Sequence, residues 1–208
     1  MFDSDTIFLV VDIFGIFVGS ATGALVGLRY RYDIMGLWFL ALVTGLGGGI
    51  IRDVMLPLGP PLALTNPFYL PTVIVAAGAV ALWGSHINQL RRTITVIDAI
   101  ALSNFAVAGA LRAFDADLSY WSAILLGIIT AVGGGVIRDM MTGVTPAIFQ
   151  RAELYGLAAL GACLTVIILR YSGLDREIIV LAGVGVGVFL RLGSLKWGWM
   201  SWAPKDSL

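Results

Sequence analysis

Charge is scarce in this sequence: Asp, Glu, Lys and Arg make up 12% of its 208 residues, about half of what a water-facing domain carries. The length would suit one or two soluble domains, but too few charges are present to cover them. Cysteine occurs once, as Cys163 inside an apolar stretch, which excludes an intrachain disulfide and a cysteine-based metal site. Histidine also occurs once: His86 sits in a connection near Arg91 and Arg92 and reads as a solvated surface residue. No Ser-His-Asp, His-Glu-x-x-His or P-loop spacing is present, so an enzyme is not expected and no cofactor is called for. Aspartates in spans serve some intramembrane proteases, but Asp12 and Asp98 stand without the neighbouring motifs of such enzymes. Zero net charge and the lack of a long basic run remove nucleic acid from the expected partners. The acidic start, Met1-Phe2-Asp3-Ser4-Asp5, lacks the basic region of a signal peptide, so the first apolar segment reads as a retained span.

What the sequence has in abundance is apolar surface: 59% apolar residues and a mean hydropathy of +0.94. At roughly 20 apolar residues per span, membrane helices are predicted near 7–28, 35–57, 68–85, 93–112, 119–143, 153–170 and 177–195. The connections are short; Gly59-Pro60-Pro61, Asn66-Pro67 and Thr145-Pro146 mark two of them. Trp197, Trp199 and Trp202, with Lys196 and Lys205, resemble an interfacial anchor after the last span. One side of the membrane collects Arg29, Arg31, Arg91, Arg92, Arg151, Arg191, Lys196 and Lys205; the other collects Arg112, Arg170 and Arg176. The positive-inside rule then puts the C-terminus in the cytoplasm and the N-terminus outside.

Gly47-Gly48-Gly49-Ile50-Ile51-Arg52-Asp53 recurs 86 positions on as Gly133-Gly134-Gly135-Val136-Ile137-Arg138-Asp139. The same gap-free offset pairs Asp12 with Asp98, Gly23 with Gly109, Thr44 with Thr130, Met55 with Met141, Pro60 with Pro146 and Tyr69 with Tyr155. The chain therefore reads as one transmembrane domain, 1–208, in which repeat one spans 1–86, repeat two 87–172, and an extra helix and tail 173–208. Each unit holds three spans, an odd number, so the second copy enters the membrane from the opposite side.

Three consecutive glycines weaken a helix by about 1 kcal/mol each relative to alanine, and are expected to bend or break the second span of each unit. Freed carbonyls are tolerated there only when buried in protein or lining water. Gly47, Gly48, Gly49, Gly133, Gly134 and Gly135 are thus candidates for a hinge or a constriction, with close helix packing as the alternative. Thr44, Thr130, Ser103, Asn104 and Ser20 are oxygen-bearing side chains at span depth, able to line a pathway or to bond their own helix. Arg52, Asp53, Arg138 and Asp139 lie inside spans and must face protein or a wet cavity. Adjacent side chains diverge by about 100°, which makes Arg52 and Asp53 poor partners. Depth instead matches Asp12 to Arg52 and Asp98 to Arg138, 40 positions apart in each copy. The two pairs are expected to serve either as structural ties or as charged gates. Gly15, Gly19, Gly23 and Gly27 form a packing ridge, within or between protomers, and Gly183, Gly185 and Gly187 a possible second one.

At these residues the sequence resembles the prokaryotic trimeric intracellular cation channels. The resemblance rests on the duplicated glycine–Arg-Asp motif, on Asp12 and Asp98 as helix-opening residues, and on Pro60 and Tyr69, and it covers the whole chain. It implies an all-α homotrimer with kinked second and fifth helices and a monovalent cation pore, for potassium or sodium, in each protomer. The metal content would be transient cations only, and the setting a bacterial or archaeal inner membrane. The phosphoinositide site of animal relatives is not implied, because no lysine lies inside a span. The same domain is also labelled a glycine transporter, and a carrier of glycine or another small neutral amino acid is the alternative.

Overall fold

The computed structural model describes residues 4–56, 58–84, 90–150 and 154–201, with side chains at all of these but 4, 5, 90 and 91. The readings of His86, Arg151, Trp202 and Lys205, and of the Arg91 side chain, fall outside the described residues. The chain forms α1 (Ser4–Arg29), α2 (Ile34–Met55), a single turn α3 (Leu62–Thr65), α4 (Tyr69–Trp83), α5 (Leu90–Asp115) and α6 (Tyr120–Met141). A 3-10 turn at Ala147–Phe149, α7 (Tyr155–Arg170) and α8 (Arg176–Trp197) complete it. No strand appears among the described residues.

Polar residues fix where the apolar helices begin and end. Asp33 caps α2 by accepting from the Gly36 amide at 2.8 Å, and Ser119, its counterpart 86 positions on, caps α6 through the Ser122 amide at 3.3 Å. Gly198 ends α8 in the left-handed conformation (φ 67°), which returns the Trp199 amide to the Ser194 carbonyl at 3.0 Å. That reversal stacks Trp199 on Trp197, with ring centroids 5.1 Å apart, and the Lys196 ammonium sits 5.4 Å from the Trp197 ring.

Five helices, α1, α2, α5, α6 and α8, are long and apolar enough to cross a membrane. The helices α4 and α7 are equally apolar but have 15 and 16 residues. At 1.5 Å per residue they reach about 22–24 Å, short of a hydrocarbon core of about 30 Å. Helices α1 and α5 lie back to back at the centre. Around them, α2 packs on α1 and α6 on α5, α2 crosses α6, α4 fills the angle between α1 and α2, and α7 that between α5 and α6. Helix α8 closes over α5 and α7. Phe39, Trp83, Trp121, Ile168 and Leu181 point outward and exposed, an outer surface suited to lipid rather than water.

The expected break at the glycines does not occur: α2 and α6 remain helical through all three glycines of each motif. Packing holds them there. A Cβ on Gly133 would lie 3.1 Å from the Gly48 Cα, a Cβ on Gly48 would drive into the Thr130 carbonyl, and one on Gly134 into the Thr44 carbonyl. The two helices therefore cross backbone to backbone, and the contact offsets the weak helix propensity of glycine. The ridge on α1 is likewise internal. Gly15 and Gly19 meet Phe105 of α5, and Gly23 and Gly27 meet Thr44 and Leu37 of α2. On α8, Gly183 and Gly187 pack on α5 and α7, whereas Gly185 has open space beside it.

Candidate functional site

Two arginines end the glycine-rich helices, each in the last turn and each buried. The Arg52 guanidinium donates from Nη1 to Asp12 Oδ1 at 2.9 Å and from Nη2 to Asp12 Oδ2 at 3.1 Å. Its Nε donates to Asp53 Oδ1 at 2.8 Å. The last contact corrects the expectation that Arg52 and Asp53 are poor partners. Arg52 has no complete turn beyond it, so its long side chain curls round the helix end and meets the carboxylate edge-on. Asp53 Oδ2 accepts from the Leu62 amide at 2.9 Å, which ties α3 to the cluster. The Tyr69 hydroxyl donates to Asp12 Oδ2 at 2.6 Å. With side-chain exposures of 0% at Arg52 and 2% at Asp12, this cluster is sealed and every nitrogen and oxygen of its ion pair is hydrogen-bonded.

The second cluster has the same parts in a looser arrangement. Arg138 donates from Nη1 to Asp98 Oδ1 at 2.7 Å and from Nε to Asp139 Oδ1 at 2.9 Å. Asp139 Oδ2 accepts from the Ala147 amide at 3.2 Å, as Asp53 does from Leu62. Here the likeness ends. Asp98 Oδ2 accepts nothing from the described residues, and Tyr155, 6% exposed, makes no hydrogen bond through its hydroxyl to any of them. The Asp98 side chain is 15% exposed. It lines a cavity of about 240 Å³ that also borders Arg29, Thr95, Arg138, Asp139 and Arg191. The Arg191 guanidinium of α8 lies over the Tyr155 ring at 5.0 Å. Two further cavities of about 10 Å³, each the space of one water, flank the glycine crossing. One is lined by Asp12, Gly49 and Tyr69, the other by Asp98, Gly135 and Tyr155.

Asp12 and Asp98 do not open their helices; each lies about two turns inside α1 or α5, at the depth that lets it reach its arginine. The Thr44 and Thr130 hydroxyls are spent on their own helices, donating to the Leu40 and Leu126 carbonyls at 2.6 Å each. Ser103 bonds the Ala99 carbonyl at 2.8 Å. Asn104 crosses between helices, its Nδ2 donating to the Val11 carbonyl at 2.6 Å. Ser20 Oγ is buried against Gly45 without a hydrogen bond. Sequence reasoning missed Tyr69 and Tyr155 as cluster members, although the 86-residue offset already paired them. It missed Phe8, whose ring carries the guanidiniums of Arg52 and Arg112 at 5.2 and 4.8 Å. Arg191, counted from the sequence with the cytoplasmic charges, is buried in the cavity wall.

An apolar helical bundle that keeps two arginine–carboxylate clusters inside it defines a polytopic membrane protein with a charged interior. A family model described as glycine transporter matches the chain twice, over residues 9–85 and 95–171. A membrane protein of Deinococcus radiodurans is 35% identical over 150 residues, 72% of this chain and 70% of its own. The inner membrane protein YadS of Escherichia coli K12 is 31% identical over 192 residues, 90% of this chain and 91% of its own. Among solved structures, the trimeric intracellular cation (TRIC) channel orthologue of Rhodobacter sphaeroides superposes with a TM-score of 0.88 at 35% identity, covering 93% of this chain and all of that one. A prokaryotic TRIC channel crystallised in 0.5 M KCl gives 0.86 at 29% identity, covering 93% and 98%. The chain belongs to this family, the prokaryotic TRIC channels whose sequence model bears the glycine transporter description.

Proposed function

We propose that the protein is a passive channel for monovalent cations, potassium or sodium, acting as a homotrimer with one pathway in each protomer. The observation that carries this reading is the pair of equivalent charged clusters, one at each end of a glycine crossing, in a chain 35% identical to a TRIC cation channel. Each cluster places two carboxylates beside one arginine, with a second arginine nearby (Arg112 at the Phe8 ring, Arg191 at the Tyr155 ring), and offers a cation carboxylate oxygens in a low-dielectric surrounding. The pathway runs past Thr44, Thr130, Ser103 and Asn104 between α2 and α6. Gly47–Gly49 and Gly133–Gly135 form its constriction and hinge, and the two clusters its gates. With the glycine backbones in contact, conduction requires α2 and α6 to part.

In this reading the domain is 1–208, with inverted repeats at 1–86 and 87–172 and an added helix and tail at 173–208. The double match of one family model at the same 86-residue spacing supports the duplication. Seven helices cross the membrane, with α3 extending α4 and the 3-10 turn extending α7. The N-terminus lies outside and the C-terminus in the cytoplasm of a bacterial or archaeal cell. The sealed Asp12–Arg52 cluster is then the outer gate, and the Asp98–Arg138 cluster, open to the 240 Å³ vestibule, the inner one.

Purified protein in planar bilayers under asymmetric potassium chloride tests the proposal. Discrete current steps reversing near the potassium equilibrium potential are expected. Electrical silence together with saturable glycine counterflow in proteoliposomes would replace the channel by a carrier.

A further inference from the structure

We infer that the inner cluster contains a binding subsite for a singly charged cation, held between Asp98 Oδ2 and the Tyr155 hydroxyl. The inference deepens the channel reading by naming where a cation rests. The outer cluster supplies the reference geometry. There the tyrosine hydroxyl is bonded straight to the carboxylate, and Asp12 Oδ2 takes one hydrogen bond from Tyr69 and another from Arg52. In the inner cluster both equivalent bonds are missing: Arg138 reaches Asp98 through Nη1 alone, and the Tyr155 hydroxyl stands off. Asp98 and Tyr155 both line one cavity of about 10 Å³. Neither Asp98 Oδ2 nor the Tyr155 hydroxyl oxygen has a hydrogen-bond partner among the described residues, and the Asp98 side chain is 15% exposed, so each takes its next ligand from the gap, as water or as an ion. Both present lone pairs, the ligand chemistry of a hard monovalent cation or of an ammonium group.

The surroundings set the charge and the access. Arg138 is shared by Asp98 and Asp139, and Arg29 and Arg191 border the same vestibule, so the site draws a cation by the Asp98 carboxylate oxygen and not by a net negative field. Asp98 also forms part of the wall of the large vestibule, from which water completes the coordination shell and through which the ion enters and leaves. Arg191 of α8 lies over the Tyr155 ring, 5.0 Å from its centroid. Its own charge weakens the site, as a conducting pathway requires, because an ion held tightly does not leave. Among the described residues no arginine stacks on Tyr69, and the outer tyrosine closes on its aspartate.

Thermal stabilisation of the purified trimer in detergent tests this without a pore. Potassium chloride is titrated against N-methyl-D-glucamine chloride at constant ionic strength, with methylammonium chloride as a parallel arm. Saturable stabilisation is expected, with Tyr155→Phe weakening the apparent affinity about tenfold, the effect of one lost contact to a charge. Gly185→Ala, with open space beside it, should leave the affinity as it is. Asp98→Asn should abolish the effect if it folds, and Tyr155→Phe carries the test if it does not. Stabilisation by methylammonium but not potassium assigns the subsite to an amino group, and the reverse assigns it to a metal ion. Equal affinity in Tyr155→Phe and wild type, or no ion-specific stabilisation, overturns the inference and leaves water alone in the gap. Ion binding in a preparation silent in bilayers would sink the channel and keep the subsite; currents without binding would do the opposite.

Discussion

Replacing Arg52 by glutamine should destabilise the protein far more than the same change at Arg138. The Arg52 guanidinium donates three charge-assisted hydrogen bonds, two to Asp12 and one to Asp53, at 0% exposure. Its removal strands the Asp12 carboxylate, whose side chain is 2% exposed, a loss of about 3–5 kcal/mol for a broken buried pair. Arg138 makes two such bonds, and Asp98 is left facing the vestibule, where water solvates it. A loss of about 1–3 kcal/mol is expected there. The assay is reversible unfolding in mixed micelles of a mild detergent and dodecyl sulfate. The cycle joining Asp12→Asn and Arg52→Gln should return a coupling of about 2–3 kcal/mol, and the cycle joining Asp98→Asn and Arg138→Gln a smaller one. Couplings below about 0.5 kcal/mol in both cycles, or a larger one at the inner pair, would refute the assignment of a sealed and an open cluster.

The other expectations concern packing and pathway. Gly48→Ala and Gly134→Ala should each cost about 1–3 kcal/mol, since the new methyl meets a backbone carbonyl that cannot yield without separating α2 from α6; Gly185→Ala, with open space beside it, should cost nothing measurable by the same unfolding assay. Thr44→Val and Thr130→Val should leave unitary conductance within about twofold, because both hydroxyls are already committed to their own helix carbonyls; a larger fall in single-channel recordings would show that the side chains re-aim when the pathway opens. Phe8→Leu stays apolar but removes the ring beneath Arg52 and Arg112 and some volume with it, and should cost about 1–2 kcal/mol in unfolding free energy.

The helical bundle could be read from composition and spacing because a membrane helix must satisfy its own backbone and therefore shows as one long apolar run. The partners Asp12–Arg52 and Asp98–Arg138 were legible for a related reason: a charge in such a run has few places to go, and depth selects among them. The short helices were harder. The runs predicted at 68–85 and 153–170 yield α4 and α7 of 15 and 16 residues, since hydropathy counts apolar residues whether or not they are helical. The glycine triplets were misread as breaks because propensity is a property of one helix, and the partner backbone that stabilises them comes from the other copy. Arg52–Asp53 was missed because Cβ directions were taken for the reach of a long side chain. The stacking of Arg191 on Tyr155 was out of reach altogether, since the 86-residue repeat has no counterpart for α8.

Asp53 and Asp139 each hold an arginine with one oxygen and a backbone amide of the following segment with the other. The carboxylate thus couples the charge state of the interior to the position of a surface turn, and such coupling is reciprocal. Whatever draws an arginine out of its cluster must also loosen α3 or the 3-10 turn. Conversely, a molecule that clamps either turn from outside the bilayer acts on the arginine by the same free energy. Two short turns with no charges of their own, Leu62–Thr65 and Ala147–Phe149, thereby become handles on the core.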